Sequence, residues 1–86
     1  MIQLAVKKPV EVKVLQWTGD NRSEIISFCG EENLDMNKLI NENKLVIKTL
    51  EGNHFAIVSD YIICGVHGEF YPCKEDIFLA TYNIKE

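Results

Sequence analysis

The feature that most constrains this fold is a short apolar run, Tyr61–Cys64, without a charged side chain on either face. Successive side chains of a strand point to opposite faces of its sheet. A strand that is apolar on both faces must be covered on both sides, so we predict that it lies at the centre of a sheet. A turn over Gly65–Gly68 and a second short strand over Glu69–Tyr71, ended by Pro72, follow it.

Periodicity elsewhere in the chain predicts the other elements. The first strand alternates cleanly until Leu15 and Trp17, which occupy the face that carried charge. Asn21 with Glu24 three residues later resembles a capping box and predicts a helix start. The predicted elements are a strand over Val10–Trp17, a helix over Arg22–Cys29, a helical turn within residues 31–43 capped by Asp35, a hairpin of Lys44–Leu50 with His54–Val58, and a helix from Glu75 carrying Ile77, Phe78 and Tyr82.

Eighty-six residues are enough for one domain with one core. The elements predict an α+β fold, a small, mostly antiparallel sheet of four to five strands with two or three short helices. We expect a single compact domain over residues 1–86. Within residues 31–43, an edge strand through Leu34 and Met36 is the alternative to the helical turn.

The charge balance disfavours a nucleic-acid partner. Thirteen acidic residues against nine basic ones give a net charge of −4, and Arg22 is the only arginine. Arginine is the side chain best suited to forked contacts with phosphate and guanine. A domain that binds DNA or RNA generically is basic, and the carboxylates are too sparse for an acidic mimic of DNA. We therefore expect no nucleic-acid partner.

The sequence also predicts where the protein works. No apolar run approaches the roughly 20 residues of a membrane helix, and the first residues lack the pattern of a secretory signal. Cys29, Cys64 and Cys73 are odd in number and irregularly spaced, which is typical of free thiols in a reducing compartment. We expect a cytoplasmic protein without a membrane partner.

Several short blocks of this sequence match the motifs of a known protein family, and together they cover most of the chain outside residues 31–43. On these blocks the chain resembles the small phage and prophage proteins that have a Pro-Gly-Asp-Tyr type strand motif. It departs from their pattern at Val58-Ser59, where Pro-Gly is usual, and at Glu75, where proline is frequent. The blocks are Lys8-Pro9-Val10, Gln16-Trp17-Thr18-Gly19-Asp20-Asn21, Thr49-Leu50-Glu51-Gly52, Asp60-Tyr61-Ile62-Ile63, and Gly68-Glu69-Phe70-Tyr71-Pro72-Cys73-Lys74 with Asp76-Ile77-Phe78.

The resemblance implies a viral accessory protein that is expressed inside a bacterial host cell and whose family is largely without an assigned activity. Small accessory genes of that class often counter host defence. This expectation comes from the class of gene, and no residue of the chain carries it.

Zinc binding and nucleophilic catalysis find little support in the spacing. Cys64, His67 and Cys73 offer three zinc ligands, and a structural site would need His54 or Cys29 as the fourth. A cysteine–histidine pair for nucleophilic chemistry could join only Cys73 to His67 or His54. The serines lie outside any nucleophile-elbow pattern. We predict no catalytic residue, no metal site and no cofactor, and therefore a protein that is not an enzyme.

A binding site is the remaining hypothesis, and it depends on aromatic residues near turns. An aromatic plate, a cation and short polar groups suit the stacking, charge pairing and edge recognition of a nucleotide-sized ligand. The alternative is that Trp17 packs under the first helix and Phe70 beneath the last. The predicted ligand-binding residues are Trp17, Thr18, Asp20, Asn21, Arg22, Tyr71 and Lys74.

Two apolar sheet faces and a few short helices predict a homo-oligomer, because an identical neighbour could cover the remaining surface. The leading functional hypothesis is a non-enzymatic phage protein that antagonises bacterial immunity by holding a small nucleotide signal. One alternative is a protein–protein inhibitor that docks on a host defence enzyme. Another is a minor structural or regulatory phage component.

Overall fold

The computed structural model describes residues 1–85 and contains three α-helices and five strands. A short 3-10 turn over Glu31–Asn33 joins the first two helices. In chain order the elements are β1 (Lys13–Gln16), α1 (Arg22–Cys29), α2 (Met36–Glu42), β2 (Leu45–Thr49), β3 (Gly52–Ala56), β4 (Tyr61–Cys64), β5 (Phe70–Cys73) and α3 (Glu75–Thr81).

The apolar strand β4 lies at the centre of a three-stranded antiparallel sheet, in the order β1-β4-β5. Its neighbouring residues Ile62 and Ile63 project to opposite faces and are 0% and 1% exposed. Both faces are therefore covered, and the prediction drawn from this run is confirmed.

The other two strands, β2 and β3, form a separate antiparallel hairpin joined at Leu50 and Glu51. Leu34 adds one isolated bridge to Ile47 on the opposite edge of β2. The predicted α+β class, with five antiparallel strands and short helices, is confirmed, and the strands are divided between two sheets.

One face of the larger sheet packs on the main core, where β2, α1 and α2 meet it. Ile62 lies in this cluster with Trp17, Ile25, Leu39 and Ile47. The opposite face is covered by α3 through an aromatic stack. Tyr61 lies 4.0 Å from Phe78 between ring centroids, and Phe78 lies 5.0 Å from Tyr82. No helix within residues 1–85 is long and apolar enough to span a bilayer.

The second helix, α2, lies in residues 31–43, the part of the sequence with the least regular pattern. Its first turn is capped by the Asp35 carboxylate, which accepts a hydrogen bond from the Lys38 amide at 3.1 Å. Asn43 ends the helix in the left-handed conformation, as asparagine often does at this position. The predicted capped helix is thus confirmed over Met36–Glu42.

Several strand boundaries were predicted wrongly. β3 runs over Gly52–Ala56 and not over His54–Val58, because the hairpin turns at Leu50 and Glu51. The first strand begins at Lys13 and not at Val10, because its partner strand ends at Cys64, opposite Lys13. Pro72 does not end β5 but lies within it, paired with Ile62. An edge strand tolerates proline, since only one of its two sides has to donate hydrogen bonds to a neighbour.

The turn before β4 contains Val58-Ser59, and its backbone has a conformation that is unusual for serine. The Asp60 amide donates to the Ile57 carbonyl at 3.0 Å, and the third turn residue, Ser59, has a φ of 88°. A positive φ at this position favours glycine. The buried Asp60 carboxylate reinforces the turn by accepting from the Ile57 amide at 3.0 Å.

We expect Ser59→Gly to stabilise the protein by roughly 0.5–1 kcal/mol, because glycine adopts a positive φ without the side-chain clash of serine. The Ser59 amide, which donates to the Trp17 carbonyl at 2.8 Å, is kept in the variant. Urea denaturation measures the change. Ser27→Gly, on the exposed face of α1, is the matched control and should cost about 0.5–1 kcal/mol. A destabilised Ser59→Gly variant would contradict the strain argument.

Candidate functional site

The aromatic residue that the sequence proposed as a stacking plate is part of the core. Trp17 is 1% exposed and packs in the cluster of Ile25 and Ile62. Its backbone joins the sheet at the Asp60 carbonyl, with an N–H to O distance of 2.9 Å. Because no face of the indole is open to a ligand, the expectation that Trp17 stacks on one is corrected. Leu15 and Trp17 break the alternation because they face the main core.

The polar residues after Trp17 form hydrogen bonds with one another and with the nearby backbone at the turn between β1 and α1. The Asn21 carboxamide accepts from the Thr18 amide at 3.0 Å and from the Thr18 hydroxyl at 3.1 Å. It also donates to the Gln16 carbonyl at 2.8 Å. The Thr18 hydroxyl accepts from the Asp20 amide at 3.3 Å. These side chains therefore build a turn, and the predicted capping box is wrong, since the Asn21 side chain bonds backward along the chain and not to the helix.

The guanidinium group of Arg22, the only arginine, forms hydrogen bonds with the second helix. Its guanidinium donates to the Leu39 carbonyl at 3.4 Å and to the Ile40 carbonyl at 3.2 Å. Asn43 fastens the same region by donating to the Gly19 carbonyl at 3.0 Å. A cation at the carboxyl end of a helix is favourable. The geometry therefore gives Arg22 a structural task in joining α1 to α2.

Tyr71 lies on the other side of the sheet from Trp17. It pairs with Ile63, which pairs in turn with Val14, so these three share the face that α3 covers. Trp17 projects toward the face of Ile62. Lys74 is exposed at the start of α3. The seven predicted residues therefore do not form one site. Tyr71 lines a cavity that has two lysines beside it.

That cavity, which we call the tyrosine pocket, has a volume of about 360 Å³. It lies between the β4–β5 turn, the segment before β1 and the end of α3. Two lysines and two tyrosines converge on it with one carboxylate and an apolar wall. The lining residues are Lys7, Lys8, Val10, Val12, Gly65, Val66, Glu69, Tyr71 and Tyr82.

Local charges give the tyrosine pocket a cationic rim and neutral aromatic walls. The Lys7 ammonium donates to the Tyr82 hydroxyl at 3.2 Å and lies 5.3 Å from the centroid of the same ring. Burial raises the pKa of Tyr71, and the neighbouring Tyr82 hydroxyl and the Glu69 carboxylate act in the same direction. Tyr71 is thus a neutral phenol at physiological pH, able to donate or accept a hydrogen bond.

The walls of the tyrosine pocket are fixed by contacts on three sides. Tyr82 is held by its stacking on Phe78 at 5.0 Å. The Glu69 carboxylate accepts from the His67 amide at 3.2 Å, which anchors it to the turn. The segment before β1 is tied down by Lys7 and by an ion pair of Glu11 with Lys85.

A second groove, of about 680 Å³, lies between the β2–β3 hairpin and β5. Its lining includes Lys48, Glu51 and His54 from the hairpin and Phe70 from β5. Phe70 also contacts Phe28 edge to face, with ring centroids 5.3 Å apart, so it packs against α1. The expected alternative, in which Phe70 packs beneath the last helix, is wrong.

The cysteines and histidines were considered as metal ligands and nucleophiles, and the structure bears on both roles. Within residues 1–85, no three side chains of His, Cys, Asp or Glu converge as metal ligands. Burial raises the pKa of Cys29 to about 12, with Cys64 adding to the effect. Burial also raises the pKa of Cys73, as do Asp60 and Asp76. These two thiols stay protonated at neutral pH, whereas the thiolate is the nucleophile and the metal ligand.

Sequence reasoning missed four polar residues of the tyrosine pocket, Lys7, Lys8, Glu69 and Tyr82. The adjacent lysines before Pro9 stand out as the only consecutive pair of cations, and that signal could have found two of them. The sequence around Tyr82 shows only that it lies at the end of an apolar helix. Its contact with Lys7 joins residues 75 positions apart and depends on tertiary packing, so no local pattern predicts it.

Comparisons with models of protein families, with curated proteins and with solved structures find no match to this chain.

Proposed function

We propose that this protein is a non-enzymatic binding protein that holds a small nucleotide in the tyrosine pocket. The observation that carries the proposal is the convergence of Lys7, Lys8, Tyr71 and Tyr82 on one cavity. Ammonium groups suit the phosphate of such a ligand, and phenol rings offer surfaces and hydrogen bonds to its base.

The size and charge of the pocket support a small ligand over a polymer. Its volume of about 360 Å³ lies in the range of roughly 300–1,000 Å³ typical of ligand sites. The chain as a whole carries a net charge of −4, which repels the extended phosphate backbone of a nucleic acid. Two lysines at one cavity can still pair with a few phosphate charges.

The biological setting of the proposal comes from the resemblance to phage accessory proteins. In an infected bacterium, a protein that sequesters a nucleotide signal without consuming it would lower the free concentration of that signal. Such a protein would antagonise an immune response that depends on the nucleotide. The proposal thus joins the leading functional hypothesis to the tyrosine pocket in place of the corner at Trp17.

A protein–protein inhibitor is the second candidate, and an exposed apolar patch favours it. Phe55, Ile57 and Val58 follow one another closely along β3 and the turn after it, and each is about half exposed. Aromatic side chains of this kind anchor protein interfaces. Capture of one host defence enzyme that is lost in Phe55→Ser, with no thermal response to any nucleotide, would favour this candidate.

We expect a nucleotide that fills the tyrosine pocket to raise the melting temperature of the protein. At a ligand concentration 100-fold above Kd, the stabilisation is about 2.7 kcal/mol. The measurement is a thermal shift across linear and cyclic nucleotides, with adenosine and inorganic phosphate as partial ligands. Lys8→Gln should weaken the binding about tenfold, because it removes one cation from the phosphate and keeps a side chain of similar length.

Lys48→Gln is the matched control, because Lys48 is exposed and lines the other groove. Equal losses in the two variants, or a loss only in Lys48→Gln, would contradict the assignment to the tyrosine pocket. Chromatography of the ligand after incubation tests the non-enzymatic part. Recovery of intact nucleotide agrees with sequestration, and the appearance of new products would overturn it.

A further inference from the structure

The amino-terminal segment carries a strand pattern much longer than the strand it forms. From residue 2 to residue 14, every even-numbered position except one is apolar, whereas the odd positions are mostly polar or charged. Alternation of this length is typical of one continuous β-strand with one covered face. The even positions are Ile2, Leu4, Val6, Lys8, Val10, Val12 and Val14.

Within residues 1–85, only the last part of this pattern pairs with another strand. β1 pairs with β4 from Lys13 to Gln16, and β4 turns away after Cys64. The residues before Lys13 extend past the sheet, and we call residues 1–12 the arm. The apolar side chains near its start are almost fully exposed, with values of 96% at Ile2, 100% at Leu4 and 93% at Val6, and Val10 is 51% exposed.

β1 is also an edge strand, and the direction of its hydrogen bonds shows which residues face the open side. The Trp17 amide donates toward β4 at the Asp60 carbonyl, whereas the Gln16 carbonyl accepts from the Asn21 side chain. By alternation, even-numbered residues of this strand present their backbone groups to the open edge. Pro9 is odd-numbered, so its missing N–H does not interrupt that edge.

We propose that the arm and β1 of one molecule pair antiparallel with the same segment of a second copy, with the two-fold axis at Lys8. Segments that are both unpaired and self-complementary satisfy each other in a symmetric dimer. A register in which paired residue numbers sum to 16 aligns each apolar residue at the even positions from 2 to 14 with another of these residues in the second copy. The pairs are Ile2 with Val14, Leu4 with Val12, Val6 with Val10, and Lys8 with Lys8.

The surface beside β1 can receive the arm of the second copy. An open groove of about 660 Å³ lies between residues 9–14 and 81–85, and Val10, Val14, Phe78 and Ile84 line it. Directly paired residues project to the same face of a sheet. Ile2, Leu4 and Val6 of the second copy would therefore lie on the face of Val14, the side of the sheet that carries Phe78.

Charges across the proposed interface favour this register with one exception. Pairing in this register would exchange two contacts within one copy, Lys7 with Tyr82 and Glu11 with Lys85, for an ion pair between Lys7 and the diagonally placed Glu11 of the second copy. Gln3 lies opposite Lys13 of the second copy. At the axis, Lys8 meets Lys8, and like charges in direct opposition weaken the pairing. The two sheets would join into one of six strands.

The mass of the full chain in solution tests the proposal. Light scattering or sedimentation over a concentration series should approach a mass of about 20 kDa, twice the 9.9 kDa of one chain. Leu4→Asp, which puts a charge opposite Val12, should shift the dissociation constant upward by at least tenfold. Gln3→Asp is the matched control, because it places the same charge opposite Lys13 and should leave the dimer intact or strengthen it.

A cysteine at the axis tests the register. Lys8→Cys should form a disulfide-linked dimer under mild oxidation, because residue 8 pairs with itself. Gln3→Cys should not exceed the wild-type background of the native thiols, since residue 3 pairs with residue 13. A wild-type chain that is monomeric at all concentrations would overturn the proposal. So would a dimer that Leu4→Asp leaves unchanged, or one that crosslinks equally well through both cysteines.

Discussion

Trp17→Ala is expected to lose about 3–5 kcal/mol of unfolding free energy, the cost of removing a large aromatic side chain from a well-packed core. Small domains of this kind have about 5–15 kcal/mol in total. The substitution should therefore leave a substantial fraction of the chain unfolded under mild denaturing conditions. The reason is structural, since the indole is 1% exposed and contacts the cluster that joins the sheet to α1 and α2.

Urea denaturation followed by circular dichroism measures this effect, because the substitution removes the only tryptophan and its fluorescence. Trp17→Phe keeps an aromatic ring in the cavity and should cost distinctly less. Phe55→Ala is the surface control, since Phe55 is more than half exposed. A loss below about 1 kcal/mol in Trp17→Ala would show that the side chain does not support the core. It would reopen the hypothesis that Trp17 is a ligand plate.

The parts of the fold that were predicted from sequence are those set by local pattern. The apolar run of β4 has no solution except burial on both faces, and the structure covers both. The helix over Arg22–Cys29 was predicted with its observed bounds, since its apolar stripe and the following Gly30 define it. Asp35 marked the start of α2 through its capping chemistry.

The candidate site could not be predicted in the same way because it depends on contacts between distant parts of the chain. Whether Trp17 faces the core or solvent is decided by α1 and α2, which the alternation of β1 does not describe. The tyrosine pocket combines Lys7 with Tyr71 and Tyr82, residues that share no local pattern. Arg22 was expected to offer a free cation to a ligand. Its guanidinium instead donates hydrogen bonds to carbonyls of α2, and this contact is set by tertiary packing.

The aromatic stack of α3 connects stability to the proposed site. Phe78 is buried between Tyr61, at 4.0 Å, and Tyr82, at 5.0 Å between ring centroids. Tyr82 in turn forms one wall of the tyrosine pocket and accepts from the Lys7 ammonium. The position of that wall therefore depends on a ring that does not itself line the pocket.

Phe78→Ala is expected to destabilise the protein by about 3–5 kcal/mol, as for other buried aromatic residues, and to release α3 from the sheet. Phe78→Leu is the more informative variant, because it keeps most of the apolar volume and removes the ring stacking, which is worth about 0.5–1.5 kcal/mol for each pair. This variant should fold, lose about 1–3 kcal/mol of unfolding free energy and show a smaller thermal response to nucleotide.

Leu79→Ala on the same helix is the control, because Leu79 is half exposed. It should leave the ligand response unchanged and should alter the stability by no more than about 1 kcal/mol. If Phe78→Leu kept the full ligand response despite a measured loss of stability, Tyr82 would not need its stack, and the proposed dependence of the pocket on α3 would be wrong.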